Sequence, residues 1–164
     1  MINSRQQGLS LIEVLISLVV LSVGLLGIAG MQATGLRNNH AAYTKTQASA
    51  LAVDMVDRIR ANPNGADFYA EFDTKTTIPT DPGCITDATG CTAAQLANYD
   101  KYQWSQPLIS TDYPILPGGS GAISRTGNIF TVTLFWLEPN YKEVERADCG
   151  QTDDTACLKM SFQL

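Results

Sequence analysis

A chain of 164 residues has room for one small domain and an N-terminal segment, and its formal net charge of −5 excludes a general nucleic-acid binder, which needs a basic face. About a hundred residues follow Ala61, which is enough for a small core but marginal without reinforcement. The single histidine, His40, supplies neither a Ser/His/Asp set nor a His-based metal set. We therefore expect no enzymatic activity and no cofactor.

The N-terminal segment is an apolar run from Leu9 to Met31 that carries one charge, Glu13. About 20 apolar residues at ~1.5 Å each cover the ~30 Å hydrocarbon core, so the run predicts a membrane-spanning helix. Residues 1–8 precede it and end in Gly8. A secretory signal peptide has its small-residue cleavage site after the apolar segment, whereas Gly8 lies before it.

This glycine, followed by Leu9-Ser10-Leu11-Ile12-Glu13, resembles the class III signal of type IV prepilins. The resemblance implies that a prepilin peptidase cuts between Gly8 and Leu9 on the cytoplasmic side and methylates the new amine of Leu9. The family usually begins with Phe, and this chain has Leu. Glu13 would be the fifth residue of the mature chain, where the family uses it to register subunits. An ordinary N-terminal membrane anchor is the alternative interpretation.

The predicted helix continues beyond the apolar run, because no proline occurs before Pro63. Asp54 and Arg58 stand at a favourable i,i+4 spacing. The cluster Asn62-Pro63-Asn64-Gly65 predicts the end of the helix, so one helix should run from Leu9 to Ala61. Its second half has an apolar stripe at i, i+3, i+4, i+7, i+8 and i+11, formed by Ala48, Leu51, Ala52, Met55, Val56 and Ile59.

Three glycines recur at every third position within the apolar run: Gly24, Gly27 and Gly30. Each destabilises a helix by about 1 kcal/mol relative to alanine. The prepilin resemblance implies a weakened stretch that extends when the subunit leaves the bilayer. Ordinary transmembrane glycine, which permits close helix contact, is the alternative.

The head begins with a polar, turn-rich stretch over residues 66–90, which predicts a loop. Thr92 and Gln95 then form a capping box. It predicts a helix from Ala93 to Trp104 that Pro107 ends. Its inward-facing residues should be Ala93, Leu96, Ala97 and Trp104.

Strands are predicted in the last third of the chain. A glycine-rich turn over residues 116–121 precedes a short strand at residues 122–125, which should pair across a turn with a strand at residues 128–137. Residues 158–164 alternate apolar and polar side chains and predict a half-buried strand. We expect an α+β fold in which an antiparallel sheet of three or four strands packs on the apolar stripe. The core face of the central strand should carry Phe130, Val132, Leu134 and Trp136.

Four cysteines follow the membrane segment: Cys84, Cys91, Cys149 and Cys157. Arg5 ahead of the span places the tail across the membrane, in an oxidising compartment. Zinc ligands come as tighter pairs, so we predict disulfides. Of the three possible connectivities we predict local pairing, Cys84 with Cys91 and Cys149 with Cys157.

Acidic residues crowd the second cysteine loop and are weak calcium candidates. A solvated acidic loop is the favoured alternative, because neither the spacing nor a central glycine fits a compact calcium loop. The residues concerned are Asp148, Asp153 and Asp154.

The head also resembles the PilV-type minor pilins, also called type IV pilus modification proteins. The resemblance lies in residues 51–63, in residues 91–100 followed by Trp104, in residues 116–119 and in residues 130–136. It implies the type IV pilin fold and a low-abundance subunit that primes pilus assembly, which serves twitching motility and adhesion. The implied partners are other minor pilins, the major pilin, a tip adhesin and the prepilin peptidase.

The expected organisation is a leader over residues 1–8, a filament-core helix over 9–31, an amphipathic stalk helix over 32–62 and a periplasmic head over 63–164. The protein would be a single-pass inner-membrane protein that then enters the pilus at the cell surface, at its tip. Two alternatives are a minor pseudopilin of type II secretion and a membrane-anchored periplasmic binding domain that never polymerises.

Overall fold

A computed structural model describes residues 10–110, 112, 114–138 and 155–164 of the chain. The chain divides into two units, Met1–Ala41 and Ala42–Leu164, and each is described by itself. In chain order the elements are α1 (Leu11–Ala61), a 3-10 helix (Pro63–Tyr69), β1 (Phe72–Asp73), α2 (Ala93–Ile109), β2 (Ser120–Thr126), β3 (Ile129–Leu137) and β4 (Thr155–Gln163).

The first unit contains the N-terminal part of α1, in which every residue from Leu11 to His40 is exposed. No charged residue occurs between Glu13 and Arg37, and the exposed surface consists mainly of leucine, isoleucine and valine side chains. Among the described residues, α1 is the one helix long and apolar enough to cross a membrane.

In the second unit, the C-terminal part of α1 provides one side of the core. The predicted stripe is buried as expected: Ala48, Ala52, Met55 and Ile59 have no exposed surface, and Leu51 packs partly buried against the core. Their spacing places them on one helical face, which excludes water together with the sheet and α2.

The sheet has four antiparallel strands in the order β1-β2-β3-β4. The β2–β3 hairpin turns at Gly127, whose φ of 61° suits a residue without a Cβ. The predicted core face of β3 is confirmed. Its four side chains are all buried and belong to the core: Phe130, Val132, Leu134 and Trp136. The α+β class and the pilin-like combination of a long helix with a small antiparallel sheet are therefore as predicted.

Helix α2 is longer than predicted, because Pro107 lies inside it and does not end it. A proline removes one backbone donor, and near the end of a helix that loss is small. Two further interactions hold the last turn: the Ser110 N–H donates to the Gln106 carbonyl oxygen at 3.1 Å, and Leu108 is buried in the core. The capping box of Thr92 and Gln95 is present as predicted.

The predicted loop over residues 66–90 contains parts of two elements that its polar composition did not predict. Residues 66–69 continue the 3-10 helix that Pro63 opens, and β1 follows. Tyr69 is fully buried and Phe72 is 5% exposed, so two large side chains anchor this stretch to the core. Residues 74–90 have no helix or strand.

Candidate assembly site

Glu13 lies in the first turn of α1, where the Glu13 and Val14 N–H groups donate to the Ser10 carbonyl oxygen at 2.9 and 3.3 Å. A carboxylate in the first turn interacts favourably with the helix dipole. None of the ion pairs formed by the described residues includes Glu13. Glu13 is exposed, as are its neighbours along the apolar run. Gly8 and Leu9, the predicted cleavage pair, lie outside the described residues.

The hydroxyl groups of the apolar run bond within the helix. Ser17 donates to the Glu13 carbonyl oxygen at 2.7 Å, and Ser22 donates to that of Leu18 at 2.7 Å. Such back-bonding satisfies a hydroxyl without water. The helix can therefore present this surface to lipid or to other apolar helices, with Glu13 as its one charged side chain.

The glycine-rich stretch is helical throughout, and a Cβ added at Gly24, Gly27 or Gly30 would contact nothing within 4 Å. Close packing against other described residues therefore does not explain these glycines. Their predicted role in extending the helix stays a prediction.

In the head, a cluster of polar side chains joins α1, the 3-10 helix and α2. The Arg58 guanidinium donates to both Asp54 oxygens, at 3.1 and 3.0 Å, and to Asp100 Oδ1 at 3.1 Å. The Tyr69 hydroxyl donates to Asp100 Oδ2. Asn62 Nδ2 donates to Tyr69 at 3.3 Å and to a carbonyl oxygen of α2 at 2.8 Å. We call Asn62, Arg58, Tyr69 and Asp100 the polar junction.

Only the Asp54–Arg58 pair of this arrangement was predicted from the sequence. A signal for the rest exists, because Asp100 lies three residues after Ala97 and four before Trp104, on the buried face of α2. A carboxylate on an apolar helical face requires a cation or a donor, and Arg58 and Tyr69 supply both.

Burial and the hydrogen bond to Asp100 raise the pKa of Tyr69 well above its usual range. For Arg58, burial favours the neutral form, but the bonds to Asp54 and Asp100 outweigh it and raise the pKa further. Both side chains therefore keep their protons at neutral pH. The junction therefore holds α1, the 3-10 helix and α2 together through charged and neutral hydrogen bonds.

A disulfide joins Cys84 and Cys91, which is the local pairing predicted for the first two cysteines. Cys157 is also disulfide-bonded. Cys149 and the calcium candidates Asp148, Asp153 and Asp154 lie outside the described residues. In the described part of the chain no group of three His, Cys, Asp or Glu side chains could hold a metal ion.

Two protein-family models match the chain on adjoining segments. The model of the prokaryotic N-terminal methylation motif matches residues 3–29, and the model described as type IV pilin Tt1218 matches residues 30–102. A search of curated proteins and a search of solved structures each gave no match. The methylation motif covers the predicted cleavage site and Glu13, and the pilin model covers the rest of α1 and most of α2. These matches, with the long apolar helix and the four-stranded antiparallel sheet, support a type IV pilin.

Proposed function

We propose that this chain is a minor pilin of a type IV pilus, a subunit of low abundance that primes filament assembly in a tip complex. Pilins are processed by a prepilin peptidase and assemble with other pilins. The proposed partners are other minor pilins, the major pilin and a tip adhesin. The likeness of residues 51–63 and 91–100 to PilV-type subunits supports the minor role.

The observation that carries the proposal is the single carboxylate of Glu13 at the start of an otherwise uncharged apolar surface. A charge at the centre of a membrane helix is unfavourable by about 2.5–3.5 kcal/mol on insertion scales, and less near its end. Within a filament the same carboxylate enters an apolar core and requires a partner. The N-terminal amine of a neighbouring subunit provides one, and the pair sets the axial register between subunits.

Substitution of Glu13 tests this role. We expect Glu13→Ala to insert, to be cleaved after Gly8 and to fold its head, but to be absent from sheared pili. Asp57→Ala is the matched control, because Asp57 is an exposed carboxylate of α1 outside the apolar run. Immunoblots of sheared filaments and of membranes measure both. Recovery of Glu13→Ala in filaments at the wild-type level would overturn the pairing role.

Two further measurements test the cleavage after Gly8 and distinguish a type IV pilus from a type II secretion system. Intact mass should show a mature chain that begins at a methylated Leu9, and Gly8→Phe should block the cleavage. A chain that retains residues 1–8 would instead indicate a membrane-anchored domain that does not polymerise.

Deletion of the gene should abolish twitching and leave type II secretion intact. The reverse result would assign the chain to the secretion machine as a minor pseudopilin.

A further inference from the structure

A pocket of about 310 Å³ opens in the head between α2 and the segment of residues 77–82. This volume is at the lower end of the ~300–1,000 Å³ found for small-ligand pockets, so the pocket takes one small group and not a large cofactor. Its apolar walls are Phe72, Ile78, Pro79 and Pro82, and two threonines, Asn98 and Lys101 supply its polar groups.

Lys101 is the cation of this pocket. Its Nζ donates to the Phe68 carbonyl oxygen at 2.8 Å and lies 5.6 Å from the centroid of the Phe72 ring. An ammonium has three donors, so these contacts leave donors available. Burial lowers the pKa of Lys101, as expected for a cation whose charge is not neutralised nearby.

Within the described part of the chain, no carboxylate forms an ion pair with Lys101. Asp81 lies between two pocket-lining residues, but its Oδ1 accepts the Gly83 N–H at 2.8 Å. A half-buried cation with apolar walls beside it favours a carboxylate that carries its own apolar neighbour, because such a group neutralises the charge and covers the walls.

We propose that this pocket receives an acidic side chain, with an adjoining apolar residue, from the head of a neighbouring pilin subunit. The inference rests on the proposed function for the identity of the partner. One observation favours a protein side chain over a free organic acid: Ile78 at the pocket is 69% exposed, which suits an interface that covers it.

The chemistry of the pocket is tested on the full chain in detergent with two capped peptides, Ala-Ile-Glu-Ala and Ala-Ile-Gln-Ala, which differ only in charge. We expect the Glu peptide to shift the amide resonances of Thr80 and Asn98 and the Gln peptide to bind roughly tenfold more weakly, about 1.4 kcal/mol. Lys101→Gln should remove the difference between the peptides, and Lys101→Arg should keep it.

Lys75→Gln is the matched control. Lys75 is another lysine close to an aromatic ring, 5.2 Å from the centroid of Phe135, but it does not line the pocket. This variant should keep the preference for the Glu peptide. Equal binding of the two peptides, or shifts that do not include Thr80 and Asn98, would overturn the proposal. Resonances elsewhere in the head report whether each variant is folded.

The partner is tested in piliated cells by placing a photo-crosslinking amino acid at Thr80, with Ser124 on β2 as an exposed control position. We expect an adduct from Thr80 whose mapped peptide is from another pilin and contains Asp or Glu. Lys101→Gln should remove this adduct. An adduct that Lys101→Gln leaves unchanged, or one to a protein that is not a pilin, would overturn the assignment of the partner.

This inference and the proposed function fail in different ways. If Glu13→Ala is absent from filaments while the Thr80 adduct does not depend on Lys101, the pilin role stands and the pocket proposal falls. If the chain never enters filaments but prefers the Glu peptide through Lys101, the pocket chemistry stands and the assembly role falls.

Discussion

Asp100 shows how one buried carboxylate organises several parts of the head. Its two oxygens accept hydrogen bonds from Arg58 of α1 and from Tyr69 of the 3-10 helix, while its own backbone belongs to α2. Removal of one partner from a buried charged pair is unfavourable by about 3–5 kcal/mol when the other charge stays behind. Since the Arg58 side chain is 26% exposed, water lowers that value here.

Tyr69 makes the stability of the head sensitive to alkaline pH. The unfolded tyrosine loses its proton near pH 10, whereas the native one, with a raised pKa, keeps it. Above about pH 10 the native state therefore binds more protons than the unfolded state, and the free energy of unfolding falls as pH rises. Below this pH the contribution of Tyr69 is constant.

We expect Tyr69→Phe to lower the free energy of unfolding at pH 7 by about 2 kcal/mol, the value of a hydrogen bond to a charged group. We also expect the free energy of unfolding of this variant to fall less steeply than that of the wild type above pH 10. Urea unfolding of the full chain at pH 7, 9 and 11 measures both effects. Tyr99→Phe, with the same chemistry at a less buried position, controls for the other tyrosines. If the free energy of unfolding of Tyr69→Phe falls with pH as steeply as that of the wild type above pH 10, the assignment to Tyr69 is contradicted.

The segment between β1 and α2 is held by a disulfide near its C-terminal end. Cys84 is buried and bonded to Cys91, one residue before the capping box of α2, while residues 85–90 are exposed. The disulfide therefore connects the wall of the Lys101 pocket to the start of α2.

The double variant Cys84→Ala/Cys91→Ala should be destabilised by about 2.5 kcal/mol, the chain-entropy value for a loop of this length. It should also lose the preference of the pocket for the Glu peptide, because residues 77–82 lose their anchor. Chemical unfolding and the peptide titration measure the two effects. If stability falls and the preference stays, the segment holds its shape without the disulfide.

Periodic elements were predictable from the sequence, whereas contacts between elements were not. The stripe of α1 and the alternation of β3 each repeat with the period of their own backbone, so local residues determine them. β1 escaped prediction because two residues have no period, and its partner β2 begins 47 residues after it ends. Arg58 is a similar case. Its spacing to Asp54 indicates a surface pair, while its bond to Asp100 joins residues 42 positions apart.

At the scale of the whole molecule, the head depends on α1, the helix whose N-terminal part is the exposed apolar run. Met55, Val56 and Ile59 of α1 are buried among the sheet residues, and the Trp104 indole donates to the Leu51 carbonyl oxygen at 2.8 Å. Full burial of such side chains stabilises a fold by about 1.5–3 kcal/mol each. Together these contacts are on the order of the 5–15 kcal/mol that a domain has in total.

Two truncations test this dependence. A chain of residues 42–164, exported to the periplasm so that its disulfides form, should fold and unfold cooperatively. A chain of residues 63–164 lacks the stripe and should not. Circular dichroism in the near ultraviolet, where a buried Trp104 gives a signal, distinguishes the two. A folded 63–164 chain would show that the sheet and α2 hold the core without α1.

The core that α1 shares with the sheet leads to an expectation for a chain under tension. Ala48, Ala52, Met55 and Ile59 of α1 belong to the core, so we expect a pull on the first turns of α1 to meet resistance there. Among the described residues, a Cβ added at Gly24 or Gly30 would contact nothing within 4 Å. A residue that passes from helix to extended chain lengthens from ~1.5 to ~3.3 Å, so seven residues from Gly24 to Gly30 would release roughly 13 Å. Under load we therefore expect the chain to lengthen at its glycines while the head stays folded.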